Sequence, residues 1–529
     1  MAIAESESAH PWKNYHPTVW GDFFITQVVP AADEVVNDWN EEIKILKSNI
    51  KKKLSDPISN VLERLSLIDA AERLGVGYHF EKEIEQDLEQ VYGDKSIWSC
   101  DDDNDLNTVA LRFRLLRQHG YKASCDVFNK FRSEGEEEGF KKELTDDIEG
   151  MLNLYEAAYL RTREESILGE AVEFTTAHLR SKVADLETHV AERVTRALER
   201  PLLKVAPIVE HLFFVSSAYE HLSGHDPVLL RLAKLNFNVL QHMYQAELRP
   251  ITEWWIKLDS PTKLPYARDK LVETYFWGLG LYWEPKHYLA RYFATKITLI
   301  GTLVDDTFDI HAGLRLILLL LQVDTSAKGL KDYMIVLFDA LADVHEEIEA
   351  VTSKEGRPWV LDYMKRGISN VARLYLEEER RSQSYKVYAT ICGLGDSVSK
   401  SDFEWLASSP EMLIISSDIC RFQDDLADNM KEPDTAHFAS SLECYMKQYG
   451  ASRQEAIDGL NKLIDEDWMI MNEELLLNIP SHVCKRVPIV ILNLVRFMDT
   501  NYKDYDGYTH SSTRTKDILV ALLLTPMVV

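Results

Sequence analysis

Asp56-Pro57-Ile58-Ser59-Asn60-Val61-Leu62-Glu63-Arg64-Leu65-Ser66-Leu67-Ile68 decides the fold class. Its apolar residues recur three and four positions apart, which places them on one face of an α-helix, and the Asp-Pro pair at its head reads as a helix start. The same period returns over 80–92, 108–119, 152–162 and 167–179. Alternation of Val, Ile and Thr, the mark of a half-buried strand, is nearly absent. The expectation is an all-α protein. The cluster Ser223-Gly224-His225-Asp226-Pro227 combines turn and cap residues between two helical patterns and predicts the domain break, giving helical domains 1–222 and 223–529. An amphipathic helix is expected directly after it, over 228–244, with Leu229, Leu232, Leu235 and Val239 on its apolar face.

Bulk properties narrow the function. The 529 residues exceed what one hydrophobic core serves, at about 100–200 residues per domain. A formal charge of −27 excludes the basic face that nucleic acid or an anionic membrane requires, so an anionic substrate needs metal ions or a local basic cluster. The six cysteines are scattered, without a CxxC pair or zinc spacing, and read as reduced thiols. The N-terminus carries Glu5 and Glu7 and resembles neither a signal nor a transit peptide, so a cytoplasmic location is expected. The apolar run 314–323 is interrupted by Arg315 and Gln322 and is too short to span a bilayer.

Chemistry concentrates at the end of the apolar run 297–304, where Asp305-Asp306-Thr307-Phe308-Asp309 follows. On a helix, Asp305 and Asp309 share one face. Crowded carboxylates repel each other in a partly dry site, and a divalent cation relieves that repulsion. Mg²⁺ takes only one or two carboxylates and completes its octahedron with waters and substrate phosphates, so a diphosphate site is expected. A second set, Asp424, Asp428 and Glu432, is spaced i, i+4, i+8 and lines one helical face in the same way. Two such helices facing across a bundle would form a carboxylate cage. Arg268 and Lys270 precede the first set and Arg421 the second; these cations are candidates to grip a departing phosphate. Trp254, Trp255, Tyr275, Phe276, Trp277, Tyr282 and Trp283 lie between, as core packing or as aromatic faces that stabilise cations in a water-free pocket. Gly278-Leu279-Gly280 and Gly393-Leu394-Gly395 lack the third glycine and the strand of a nucleotide loop. In His345-Glu346-Glu347-Ile348-Glu349, a glutamate stands where a zinc protease has its second histidine, so the segment reads as a charged helix face. The acidic stretches 101–105 and 134–138 read as solvated turns.

These residues resemble the plant terpene synthases, of the cytosolic sesquiterpene type. The resemblance covers nearly the whole chain: 14–24 at the N-terminus, Arg73-Leu74-Gly75-Val76-Gly77-Tyr78-His79-Phe80, 111–117, 264–269, the Asp305 cluster, 443–450 and Asp506-Gly507-Tyr508-Thr509-His510. It implies a C-terminal class I terpenoid synthase helical bundle holding three Mg²⁺ ions, with Mn²⁺ as a substitute. Asp305 and Asp309 would ligate two ions, and Asp424, Asp428 and Glu432 the third. Asp305, Arg268, Lys270 and Arg421 would hold the substrate diphosphate. Trp277 would face carbocations, and Asp506 with Tyr508 would sit on a closing C-terminal loop. The implied enzyme is a monomeric carbon–oxygen lyase that ionises farnesyl diphosphate and releases diphosphate and a cyclic sesquiterpene.

Departures from the family pattern are visible. Lys270 replaces a second arginine, Asp428 replaces a serine or threonine, Asp434-Thr435-Ala436 replaces a basic stretch, and His10 replaces an arginine. The chain between the two acidic sets is about six helical turns shorter than the pattern, mostly near 379–384 and less after Gly313. The alternative function is therefore a helical protein of this ancestry with weak or no turnover. A chain-elongating prenyl synthase is a further rival, because Asp424-Asp425 and Asp428 also read DDxxD, but Glu432 continues the terpene-synthase series.

Overall fold

The computed structural model describes residues 18–29, 31–93, 104–133, 139–311, 332–376, 398–429 and 440–529. Among them every regular element is helical, and the one β feature is an isolated antiparallel bridge between Arg132 and Phe140.

The opening stretch is helical, but the helix runs Val61–Arg73 and begins later than the Asp-Pro pair predicts. Asn60 caps it, its side-chain oxygen accepting the Glu63 N–H at 3.0 Å. Asp56 instead ends the preceding helix Asp33–Ser55 with extended backbone (φ −70°, ψ 151°). The residue before a proline is pushed out of the α region, which ends the preceding helix at Ser55, and the next helix waits for the cap at Asn60. The other periodic stretches fall on Glu81–Gly93, Leu106–Gln118, Ile148–Ala158 and Ser166–Lys182. Asp105, in the first acidic stretch, is the cap of Leu106–Gln118, bonded to the Thr108 N–H at 2.8 Å; residues 101–103 and 134–138 lie outside the described residues.

The 223–227 cluster turns the chain. Gly224 takes φ +81°, a conformation that favours glycine, and Asp226 caps the long helix Pro227–Leu258 by accepting the Val228 N–H at 2.9 Å. This helix outruns the expected 228–244 and passes through Pro250. It packs on Asp33–Ser55, where Arg231 pairs with Glu42 at 2.8 Å. Other ties join residues distant in sequence: Arg200 to Asp499 at 2.6 Å, Lys204 to Asp465 at 2.8 Å and Arg163 to Glu473 at 3.0 Å. Tyr78, from the motif 73–80, donates to Asn236 on the long helix at 2.7 Å.

In the C-terminal part, helix Leu271–Leu281 packs against both Tyr288–His311 and Arg486–Tyr502, and Glu411–Asn429 packs on Arg486–Tyr502 as well. The two glycines that failed as a nucleotide loop explain the close crossing. A Cβ on Gly280 would stand 2.1 Å from the Phe497 ring, and one on Gly278 3.3 Å from the Arg291 carbonyl. Most of the aromatic run is packing: Trp255 donates to Asp269 at 3.0 Å, Tyr275 donates to Glu247 at 2.7 Å, and Trp283 rests on His211 and Tyr78. The reading of 345–349 as a charged face holds for Glu347, which accepts from Lys296 at 2.8 Å, but His345 is buried, and burial lowers its pKa to about 4.

Candidate active site

The helix Tyr288–His311 carries the first acidic set at its C-terminal end, so the apolar face 297–304 anchors it in the core. Its two adjacent aspartates differ. Asp306 is buried; it accepts the backbone N–H of Arg268 at 2.7 Å and pairs with the Arg268 Nε at 2.9 Å. Asp305 keeps 27% of its side chain exposed and meets Arg268 Nη2 at 3.1 Å. One arginine therefore spans both carboxylates. Asp309 lies on the same helix four residues on; its side chain falls outside the described residues.

The same arginine reaches a third element. Its Nη1 donates to Thr509 Oγ1 at 3.2 Å, and Lys270 donates to the Thr509 carbonyl at 3.0 Å and to Ser511 Oγ at 3.1 Å. The segment between helices Arg486–Tyr502 and Arg514–Leu523 is thus held over the first acidic set by the two predicted cations. Lys270 is buried, and burial lowers its pKa. Asp506 braces the segment from within: one carboxylate oxygen accepts the N–H groups of Tyr508 and Thr509, each at 2.9 Å. Tyr508 is buried, with its hydroxyl 2.7 Å from Thr302 Oγ1 and 3.1 Å from Thr274 Oγ1, and burial raises its pKa far above the ordinary range. Trp277 is half-buried beside it, its ring edge-on to Phe497 at 5.1 Å and to Tyr508 at 6.2 Å.

The second set sits on Glu411–Asn429. Asp424 is half-buried and Asp425 is buried. Arg421 donates to Asp425 Oδ2 at 2.7 Å, and that oxygen also accepts the Ser441 N–H at 2.7 Å. Behind the helix, Gln423 donates to Asp499 at 2.9 Å, which joins this set to the Arg200 tie. The Asp428 side chain and Glu432 lie outside the described residues, as do 379–384 and the chain after Gly313. The structure therefore brings together Arg268, Lys270, Asp305, Asp506, Tyr508 and Trp277, and places Arg421 and Asp424 on a separate helix packed against Arg486–Tyr502.

The sequence reading missed Asp306 and Asp425 as braces, Thr509 and Ser511 as partners of the cations, and Thr274 and Thr302 as partners of Tyr508. Only the doubled aspartate in each set carried a signal, since one of two adjacent residues on a helix must turn from the shared face. Among the described residues no three His, Cys, Asp or Glu side chains converge as a metal cage. The half-exposed Asp305 and Asp424 offer the hard oxygen donors and open positions that suit Mg²⁺, which relies on few carboxylates.

The half-exposed aspartates, the two cations beside the first of them and the aromatic rings near Tyr508 suit a helical enzyme for metal-escorted anionic substrates. Family models agree: the terpene synthase N-terminal domain matches residues 19–198, and the terpene synthase family metal-binding domain matches 256–387 and 381–470. The chain is 40% identical to (−)-germacrene D synthase of Vitis vinifera, covering 97% of this chain and 95% of that protein. It is 38% identical to (+)-delta-cadinene synthase isozyme A of Gossypium arboreum, covering 99% and 97%. The structure of isoprene synthase from grey poplar, in complex with three Mg²⁺ ions and dimethylallyl-S-thiolodiphosphate, superposes with a TM-score of 0.84 at 27% identity, covering 97% and 99%. The chain belongs to the terpene synthase family. It is an all-α enzyme of the sesquiterpene synthase type, a carbon–oxygen lyase acting on a diphosphate with a divalent metal.

Proposed function

We propose that this enzyme ionises farnesyl diphosphate and releases inorganic diphosphate and a cyclic sesquiterpene. The observation that carries the reading is the reach of Arg268, which joins Asp305, Asp306 and Thr509 within 3.2 Å. A diphosphate arriving beside Asp305 meets Arg268 and Lys270 already held in place, so ordering them costs little on binding. Three Mg²⁺ ions would be held by Asp305 and Asp309 on one side and by Asp424, Asp428 and Glu432 on the other; the three ions in the isoprene synthase structure support the count. When bound, such ions supply positive charge that neutralises the leaving diphosphate.

The remaining work falls to the chain. The carbon–oxygen bond breaks with its electron pair on the diphosphate, which Arg268, Lys270 and Arg421 hold as charge develops on it. The loop braced by Asp506 covers the site and excludes water, which would otherwise capture the allyl cation. Trp277 offers a ring face to the migrating positive charge, and Tyr508 packs against its edge. The cation closes into a ring and gives up a proton to an oxygen of the released diphosphate, leaving the hydrocarbon. Division into domains 1–222 and 223–529, a monomeric state and a cytoplasmic location complete the reading. The turn at Gly224 and the gap between the two family matches support the division, and among the described residues no helix is long and apolar enough to cross a membrane. Incubation with farnesyl and geranyl diphosphate, Mg²⁺ and a hexane overlay tests it. Gas chromatography should show a cyclic product with fifteen carbons from the first; no volatile product from either would reject the proposal.

A further inference from the structure

Between the two predicted cations and the segment they hold lies a buried carboxylate that belongs to neither acidic set. Glu273 stands in the first turn of Leu271–Leu281, is 3% exposed, and accepts the Ser511 hydroxyl at Oε1. The oxygen of that hydroxyl accepts in turn from Lys270 Nζ at 3.1 Å, so Ser511, itself buried, bridges the two charges. Lys270 and Glu273 are 3.9 Å apart, beyond direct hydrogen-bond reach. Glu273 and Ser511 are 238 residues apart in the chain, so only the fold joins them. The same stretch of helix meets the rest of the segment: Thr274 Oγ1 lies 3.1 Å from the Tyr508 hydroxyl, and the Trp277 ring stands edge-on to Tyr508 at 6.2 Å.

Stability alone does not account for Glu273. Its Oε2 is buried without a hydrogen-bond partner among the described residues. A buried carboxylate left half satisfied costs free energy that an apolar side chain of similar size would not. Its place in the first helical turn offsets part of that cost, because a helix N-terminus favours negative charge. The larger effect is on Lys270. Burial lowers the Lys270 pKa, and Glu273 supplies the strongest opposing pull. That pull favours the charged ammonium, which donates to the Thr509 carbonyl at 3.0 Å as well as to Ser511. Breaking the chain of contacts at Glu273 or at Ser511 therefore loosens Lys270 and the segment 506–511 together.

We infer that Glu273 and Ser511 are positioning residues, which act through Lys270 to fasten the segment 506–511 over Asp305. The fastening is a property of the protein without substrate; its consequence rests on the proposed reaction. A segment that lifts from the site admits water, which adds its oxygen to the carbocation and sheds a proton, so an alcohol forms in place of the hydrocarbon.

Hydrogen–deuterium exchange of the substrate-free protein, read over 503–513 with the helix Arg486–Tyr502 as reference, tests the fastening. Ser511→Ala removes the bridge, so amides of the segment should exchange about tenfold to a hundredfold faster, the worth of one charge-assisted hydrogen bond, while the reference helix is unchanged. Glu273→Gln keeps an acceptor for Ser511 but not the charge, and should give a smaller rise. Ser511→Thr, which retains the hydroxyl, should exchange as the parent does. With farnesyl diphosphate and Mg²⁺, Ser511→Ala should raise the ratio of sesquiterpene alcohol to hydrocarbon. The inference is overturned if Ser511→Ala or Glu273→Gln exchanges over 503–513 as the parent does, or if exchange rises equally in the reference helix. It is also overturned if Ser511→Thr loosens the segment as much as Ser511→Ala, or if a loosened segment leaves the product ratio of an active enzyme unchanged. A parent without any product, whose segment still loosens in Ser511→Ala, would reject the proposed reaction and uphold the fastening.

Discussion

The two doubled aspartates, Asp305-Asp306 and Asp424-Asp425, are built alike and braced differently. In each pair the second residue is buried and bonded to an arginine, and the first remains half-buried. At the first pair the arginine comes from another segment and continues to Thr509 on the C-terminal loop. At the second it comes from one turn earlier on the same helix, and the brace continues only to Ser441. The first pair is thus wired to a covering loop and the second to its own scaffold. Under the proposed function, this difference would tie the first set to loop closure and leave the second without that link.

Breaking the second member of each pair should separate these roles. Asp306→Asn removes a buried charge that faces Arg268 and its backbone N–H, and should cost about 3 kcal/mol of stability, as half of a buried ion pair does. Asp425→Asn, whose Arg421 partner is a quarter exposed, should cost about 1–2 kcal/mol. Urea unfolding monitored by circular dichroism measures both; an equal loss would erase the distinction between the braces.

A smaller effect is expected at Trp277. Trp277→Ala should lower cyclised product by about 1–2 kcal/mol of barrier, roughly tenfold, while hardly changing binding of an unreactive diphosphate analogue, because the ring acts only once charge develops. Equal losses in product and analogue binding would make Trp277 a packing residue.

A third pair of carboxylates, Glu72 and Glu85, serves as a control because it closes on a side chain and not on a ligand. His119 lies 2.7 Å from Glu72 and 3.3 Å from Glu85. Although burial alone would lower its pKa, the two carboxylates outweigh it and raise the value to about 10. Because the folded pKa stands above that of an unfolded histidine, the stabilisation is complete below about pH 6.5 and is lost as pH rises towards 10. His119→Gln should flatten the stability profile between pH 7 and 9 by about 1 kcal/mol, after allowance for partial exposure. An unchanged slope would show that His119 is neutral in the folded protein.

What the sequence revealed follows from the range of the interactions involved. Helices were legible because their period is local, and so was the placing of Asp305 and Asp424 on helices. Asp306 was not legible as a brace, since its partner Arg268 is brought near only by the fold. The threonines beside Tyr508 were hidden for the same reason: Thr274 and Thr302 lie more than two hundred residues from it in the chain. The Asp56 misreading had a local cause, as Asp-Pro can end a helix as readily as begin one.

The central claim is that Asp305 works with a divalent metal on the diphosphate and does not hold the fold. Steady-state release of inorganic diphosphate from farnesyl diphosphate, followed as Mg²⁺ is titrated from EDTA, tests it most directly when parent and Asp305→Asn are compared. The account predicts Mg²⁺-dependent release by the parent, a loss of about a thousandfold in the variant, and melting temperatures within a few degrees of each other. Release by the parent that ignores Mg²⁺, or a variant as active as the parent, would contradict it.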